Sequence, residues 1–576
     1  MKDICLIASS PSALSGIHRA ATRWLMAVGL AGFALVVGAV VPTPTITGPL
    51  AGDVPGTVPG HNYPFFATHI VMADYGYVEQ EFYMDGTATN FGNPNGTANA
   101  SIVSTGNPYR TRMLVRRPVD PAKFNGTVIV EWFNVTNGWD LDVFWQEQMA
   151  YYIREGYVWI GVTAQNASVT NATTGLKVWS PTRYGTMNLN NSGTVGNDQL
   201  GYDVFSQAAQ AVRKVPVVLG GLTPQTVIGA GESQSAGRMH TYVNSVHILD
   251  PIYDGFIVAH GNGTTRPEVT VPFMRMLSEQ ETMSIPNIQA DTSKVRTWAV
   301  AGSTHSEYYT MILRAPILLR DLNQQAFDTC ATPARSRVTF YMAMNAATDA
   351  LVKWIRTGVE PAHSPPQQVS GTPVRLTRDA RGNSLGGIIL PEMAVPVAKN
   401  AADACGLGGS HVMFDTPTLN TLYPTQADYV SKVTNAANAS VAAGFMLPYD
   451  SKLTKTHAMT SIYGLGLDCG YLCVDQDAFP IHPSASLLRD QTELLHYVGS
   501  QTPTNRVILA QRAIAIGYTL GTTNAAARAK FAEAIGILQL YINDIQGIQS
   551  TGHLKPETAT LLVAQATTLI QRLSVL

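Results

Sequence analysis

The stretch that most constrains this chain lies between residues 226 and 246. A short β-type run, residues 226–230, passes through Gly231-Glu232-Ser233-Gln234-Ser235 into a helical segment over residues 236–246. A serine with a small residue two before it and another two after it suits a strained strand-to-helix turn, where bulky neighbours would strike the backbone. Such a turn lifts the serine Oγ clear of the strand end. It also aims the amide of Gln234 at negative charge developing on a bound carbonyl oxygen. The second small residue is Ser235 rather than glycine, so the pattern is G-x-S-x-S. Ser233-Gln234-Ser235-Ala236-Gly237 also fits small-x-Ser-x-small, but register from the strand end favours Ser233 over Ser235 as the nucleophile. A pentapeptide of this kind is common by chance, and its weight comes from what surrounds it.

Around the turn, apolar runs alternate with helical segments. Residues 126–134, 157–163, 255–259, 272–277 and 295–301 read as strands, several apolar throughout, and residues 75–83 and 111–116 as further β-type runs. Residues 143–154 and 203–214 read as helices. Strands buried on both faces and separated by helices predict a mostly parallel sheet covered on each side, an α/β fold. The Asn-, Gly- and Thr-rich residues 166–198 read as a long loop over the sheet edge. Residues 337–357 look helical up to Gly358, residues 365–420 look irregular, and residues 427–443 look helical again. Near the C-terminus Phe531, Ile535, Leu538, Ile542 and Ile545 recur at helical spacing, as do Leu562, Ala566, Leu569 and Leu573. With Pro556 at a first helical position, these predict an αα-hairpin whose apolar stripes are core.

Composition narrows the function classes. Only 14% of the 576 residues are charged and the net charge is −2, which argues against a nucleic-acid binder and gives no reason to expect a strongly charged substrate. Lys2, Arg19 and Arg23 precede an uncharged run over residues 24–41, with Val37, Gly38 and Ala39 at cleavage-type positions. This pattern predicts an export signal, or an uncleaved signal anchor of spanning length, and so a secreted or cell-envelope protein. Residues 42–65 read as a Pro/Gly/Thr-rich linker, residues 66–480 as the main domain with its extension, and residues 500–576 as the helical tail. Outside the cell, Cys330, Cys405, Cys469 and Cys473 suggest two disulfides, with Cys469–Cys473 and Cys330–Cys405 as one pairing. Sequons such as Asn95 and Asn438 imply glycans only in a eukaryotic host.

A nucleophile on such a turn needs an acid and then a histidine on later strand ends. The run over residues 272–277 ends in Ser278-Glu279-Gln280-Glu281, and residues 295–301 end in Gly302-Ser303-Thr304-His305. In the usual α/β-hydrolase layout these follow the seventh and eighth strands. His305 is the expected base. Glu281 is preferred to Glu279 as the acid because it stands further past its strand end. The second oxyanion donor is expected from the loop after residue 133, at Asn134 or Val135. His240 reads as packed or surface, His260 as pocket-lining or structural, and Arg238 as a substrate clamp or a helix residue paired with an acid. His457, His482 and His496 carry no assigned role.

With these residues in place, the chain resembles a family of exported bacterial α/β-hydrolase-domain proteins whose elbow reads G-x-S-Q-S-[AG]-R. The likeness runs from about residue 75 to 450. Besides the elbow it takes in residues 130–135, 201–208, 302–305, 383–388 and 444–450. It implies a Ser–acid–His hydrolase with residues 310–450 in the same unit, and leaves the helical tail outside.

These readings predict an exported serine hydrolase that cleaves a carboxylic ester through an acyl-enzyme on Ser233, with a Ser-His-Glu triad. An amidase or peptidase would use the same residues. A non-catalytic binding or cell-envelope module on the same fold is the competing class. No cofactor, metal or nucleic-acid partner is expected. The partner is a small-molecule or ester substrate, and contact with a membrane would come only through an uncleaved N-terminus.

Overall fold

The alternating apolar runs assemble into one twisted sheet. The structure, a computed structural model, describes residues 41–53, 55, 61–196, 198–285, 287–306, 308–324, 335–460, 485, 488, 489, 492 and 502–576. The expectations for residues 1–40, Cys330, Cys469, Cys473, His482 and His496 lie outside those residues. Cys405 lies within the described residues, but its expected partner Cys330 does not, so that pairing lies outside them too.

Nine strands make up the sheet: β1 (Thr45–Thr47), β2 (Tyr77–Asn90), β3 (Ser104–Pro118), β4 (Thr127–Trp132), β5 (Val158–Val162), β6 (Thr226–Glu232), β7 (Gly255–Ala259), β8 (Phe273–Leu277) and β9 (Val295–Ala299). Their order is β1-β2-β3-β5-β4-β6-β7-β8-β9. Pairing is antiparallel from β1 to β5 through β2 and β3, and parallel from β5 onward. Every residue of β4 and β6 is buried. Alternate side chains feed two cores, Ile129 and Ile228 on one face, Val128, Val130 and Val227 on the other. This is the mostly parallel, doubly covered α/β sheet that the apolar runs predict.

Helices seal both faces. On one side lie α1 (Val143–Glu155), α5 (Tyr308–Leu322) and α6 (Phe340–Thr357); on the other lie α2 (Gly201–Lys214) and α3 (Gln234–Thr241). A short helix, α4 (Glu279–Ser284), follows β8. Gly358 ends α6 in the left-handed conformation that glycine adopts without cost. The irregular region after α6 belongs to the same body. Ile388 bridges Val300 in parallel, extending the sheet beyond β9, and Asn345 on α6 donates to Asp450 at 3.1 Å.

Two expectations need correction. Residues 42–65 are not simply a linker, because β1 pairs with β2 and Tyr63 and Phe65 are fully buried. That extra strand makes the strands expected to carry the acid and the base the eighth and ninth rather than the seventh and eighth. Residues 166–198 are not an open loop either. They contain three short α-helices, Asn166–Thr170, Leu176–Trp179 and Pro181–Tyr184, and a 3-10 turn, Asn191–Gly193. Trp179 stacks on His61 with centroids 4.4 Å apart, and the Tyr184 hydroxyl donates to buried Glu81 at 2.8 Å. Scattered aromatics give this polar segment enough apolar burial to pack.

The tail forms α7 (Thr502–Leu520), α8 (Ala525–Ser550) and α9 (Pro556–Leu573), with proline opening α9. The hairpin stripes are buried at Phe531, Leu538, Ile545, Leu562, Ala566 and Leu569, within the same apolar core as Ile129 and Trp298. Lys555 Nζ donates to the Thr68 carbonyl, Thr558 Oγ1 donates to that of His69 at 3.1 Å, and Arg320 pairs with Glu557 at 2.9 Å. All described residues fall within one compact unit, Val40–Leu576. Leu538→Ala is therefore expected to cost about 2–5 kcal/mol of global stability, read by calorimetry as one transition moving down. A separate tail transition, with the main one unmoved, would contradict this.

Candidate active site

The elbow is built by steric exclusion. Ser233 sits at φ 54° and ψ −114° between β6 and α3, a conformation that costs a non-glycine residue about 1–3 kcal/mol. Its backbone is held by the Ser233 amide donating to the Ala259 carbonyl at 2.9 Å. A Cβ on Gly231 would lie 2.6 Å from Met239 Cγ and 2.9 Å from the Ser235 carbonyl oxygen, so only glycine lets the helix fold back. Gly231→Ala is expected to lower stability by about 1–3 kcal/mol. Gly237→Ala, with nothing within 4 Å of the added carbon, should be neutral or stabilising in the same melts. Equal melting temperatures for the two variants would sink the steric account.

Ser233, His305 and Glu281 come together at hydrogen-bonding distance. Ser233 Oγ is 2.8 Å from His305 Nε2, and His305 Nδ1 is 2.6 Å from Glu281 Oε1. Glu281 is fixed by a capping box at the start of α4. Its Oε2 accepts from the Ser278 amide at 3.0 Å and the Ser278 hydroxyl at 2.5 Å. Burial pushes the Glu281 carboxyl up. The hydrogen bond from His305, the charges on His260 and His305, and the Ser278 hydroxyl more than offset this and hold it at about 2. Gln280 Oε1 accepts from the His305 amide at 2.9 Å, holding the backbone at that position. Glu279 is used elsewhere. It accepts from the Gly302 amide at 2.8 Å, Arg378 at 2.9 Å and the Ala402 amide at 2.9 Å, tying the loop after β9 to the extension. Ser235 is fully buried, and its hydroxyl donates to the Glu232 carbonyl and accepts from the Glu232 amide, both at 2.9 Å.

The opposite wall is the loop between β4 and α1. Buried pairs from β3 brace it, Arg112 to Asp140 at 2.8 Å and Arg116 to Asp142 at 2.6 Å. Val135 N–H points across to the elbow and donates to Gln234 Oε1 at 3.4 Å. The Gln234 amide is the first of α3 and has no acceptor within its own helix. Asn134 does not belong with these donors. Its amide donates to the Leu141 carbonyl at 3.2 Å, and its side chain donates to the Glu232 carbonyl and to Glu232 Oε2, each at 3.0 Å.

A second group of ionisable residues lies against the first. Glu232 Oε1 is 3.2 Å from His260 Nδ1 and 3.7 Å from His305 Nε2. The His260 ring is fully buried, stacks on Phe340 at 4.7 Å, and lies 5.0 Å from the His305 ring at a tilt of 35°. Burial pushes His260 down, but the hydrogen bond to Glu232 and the charges of Glu281, Glu232 and Glu147 carry it up to about 9. On α1, burial raises Glu147 to about 7; His260 and Arg314 draw it down while Glu232 adds to the rise. Glu232, His260 and His305 offer donor atoms within 4.8 Å of one another, the spacing a metal ion would need. Each of the three residues already has a donor atom in a hydrogen bond, His305 Nε2 with Ser233 and Glu232 Oε1 with His260 Nδ1.

Residues 46–455 match the family described as alpha/beta hydrolase domain. The chain belongs to that family. No curated protein matches the chain. Among solved structures, similar chains include a lidless a/b serine hydrolase, XC6422, from Xanthomonas campestris. It is 11% identical over 37% of this chain and 83% of its own, with a TM-score of 0.21. A cold-adapted esterase from an Arctic intertidal metagenomic library is 11% identical over 42% of this chain and 91% of its own, TM-score 0.23. An esterase from Rhizomucor miehei is 10% identical over 41% and 77%, TM-score 0.22.

In this hydrolase the remaining histidine and arginine expectations resolve into packing. His240 is buried against Phe273, 5.0 Å between centroids, and burial with the nearby Arg275 charge pushes it down to about 3. Arg238 pairs with Asp198 at 3.2 Å. Glu232 is the residue that sequence reasoning overlooked. As the variable position of G-x-S-x-S it carried no signal by itself, although parallel register with β7 places its neighbour Ala259 directly before His260.

Proposed function

We propose that this hydrolase cleaves carboxylic esters through an acyl-enzyme on Ser233. The observation that carries the reading is the continuous hydrogen-bonded path from Ser233 Oγ through His305 to Glu281, at 2.8 and 2.6 Å. His305 Nε2 takes the Ser233 proton as Oγ attacks the carbonyl carbon. Glu281 holds the imidazole in the tautomer that leaves Nε2 free to accept, and stabilises the imidazolium that forms. The Gln234 and Val135 amides receive the tetrahedral oxyanion; for Val135 this requires the Gln234 side chain to yield its place to substrate. Collapse of the intermediate breaks the ester C–O bond, and His305 returns the proton to the leaving alcohol. Water then attacks the acyl-enzyme by the same steps and releases the acid.

The test is labelling with a fluorophosphonate probe followed by peptide mapping. Label on Ser233 that vanishes in Ser233→Ala and collapses in His305→Ala is the expected result, followed by turnover of a panel of acyl esters. Label on Ser235 would shift the nucleophile. Folded wild-type protein that takes no label would favour a binding module. The charged-then-apolar N-terminus supports an extracytoplasmic location, which fractionation of cells expressing the full chain would check.

A further inference from the structure

The proposed triad uses one carboxylate, yet His305 stands between two. Glu281 holds Nδ1 at 2.6 Å, and Glu232 Oε1 lies 3.7 Å from Nε2, on the side where the proton must travel. A lone carboxylate there would favour the imidazolium and compete with the leaving group for the Nε2 proton. Glu232 is not alone, because the same Oε1 faces His260 Nδ1 at 3.2 Å and Oε2 accepts from Asn134 at 3.0 Å.

We infer that Glu232 and His260 form a buried charge pair that sets the proton affinity of His305, two positioning residues acting on the base from the ends of β6 and β7. This role rests on the triad reading above. The pair is fixed in place. The residues leading into it are paired in parallel register, Glu232 with Ala259, and His260 is held at φ 54° with its amide donating to the Met276 carbonyl at 3.0 Å. Phe340 covers the His260 ring at 4.7 Å, and both members of the pair are buried. Burial alone would discharge His260, but the surrounding carboxylates keep it charged in neutral solution. The other charged groups acting on the pair are Glu281 on α4, Glu147 on α1 and Arg314 on α5. With Glu232 negative and His260 positive, their effects on His305 oppose one another. Each one's removal should therefore move the base in a different direction.

The experiment is the pH profile of kcat/KM on an acyl ester, whose acid limb reports the base of the free enzyme. The rate of fluorophosphonate labelling against pH serves as a second readout. Glu232→Gln removes a negative charge and should move the limb about one pH unit down, whereas His260→Gln removes the compensating positive charge and should move it about one unit up. The double variant should fall back within about half a unit of wild type. Glu232→Asp, which keeps the charge, should stay near wild type. Limbs that move the same way, or do not move while Ser233 still labels, overturn the pair's role and leave the triad standing. Wild-type protein that takes no label overturns both. If Glu232→Gln does not fold, His260→Gln decides alone, an upward shift supporting the role and no shift or a downward one overturning it.

Discussion

Ser233→Ala is expected to lower kcat on a good ester substrate by about 10⁶-fold, and His305→Ala by nearly as much. The two groups act as one unit. Without Oγ there is nothing for His305 to activate, and without Nε2 the hydroxyl keeps its proton at neutral pH. The losses should therefore not multiply, and the double variant should be about as slow as either single one. What remains, about 10³–10⁴ over the uncatalysed reaction, would come from the Gln234 and Val135 amides and from binding. Ser235→Ala makes a sharp comparison. Its hydroxyl is buried on the Glu232 backbone, so its loss should appear in the melting curve, at about 1–3 kcal/mol, and much less in turnover. Single-variant losses that multiply in the double variant would mean that Ser233 and His305 act separately, and the triad assignment would fall.

Some of this site is written locally in the chain and some is not. The elbow is legible because its constraint is steric and short-range. Gly231 must lack a side chain to let Met239 and Ser235 approach, and that leaves a mark at fixed spacing. The meeting of Glu281 and His305 with Ser233 is legible because neighbouring parallel strands place their C-terminal ends side by side, so chain order becomes spatial order. Ser278 with Glu281 three residues on is also a capping-box pattern, which folds Glu281 back over the start of α4 and toward His305. Asn134 was not legible as a non-donor. Its amide is taken by Leu141, seven positions along the chain, and that contact follows from loop closure rather than from any residue preference. β1 escaped because three residues set among proline and glycine show no period. The Glu232–His260 pair escaped because it joins two strand ends, and neither residue alone distinguishes a structural role from a functional one.

Glu281→Gln is expected to leave the fold intact and lower kcat by about 10⁴-fold at neutral pH. The amide is nearly the shape of the carboxylate but carries no charge, and its NH₂ can donate to His305 Nδ1. That contact would favour the tautomer with its proton on Nε2, where it cannot accept from Ser233. Stability should respond as well, with a sign fixed by the carboxyl's position. Glu281 is held at about 2 against an ordinary 4.5, so its folded state binds fewer protons than the unfolded chain. Its contribution, about 3 kcal/mol, is present above the ordinary value and is lost as pH falls from 4.5 toward 2. Urea midpoints of wild type and Glu281→Gln should therefore differ at about pH 7, draw together as pH falls below about 4, and converge only below about pH 2. A gap that stays constant across that range would mean the carboxylate is not held by His305 and Ser278. A loss of turnover below about tenfold would remove Glu281 from the triad, since an orienting carboxylate that can be neutralised so cheaply is not selecting the tautomer of the base.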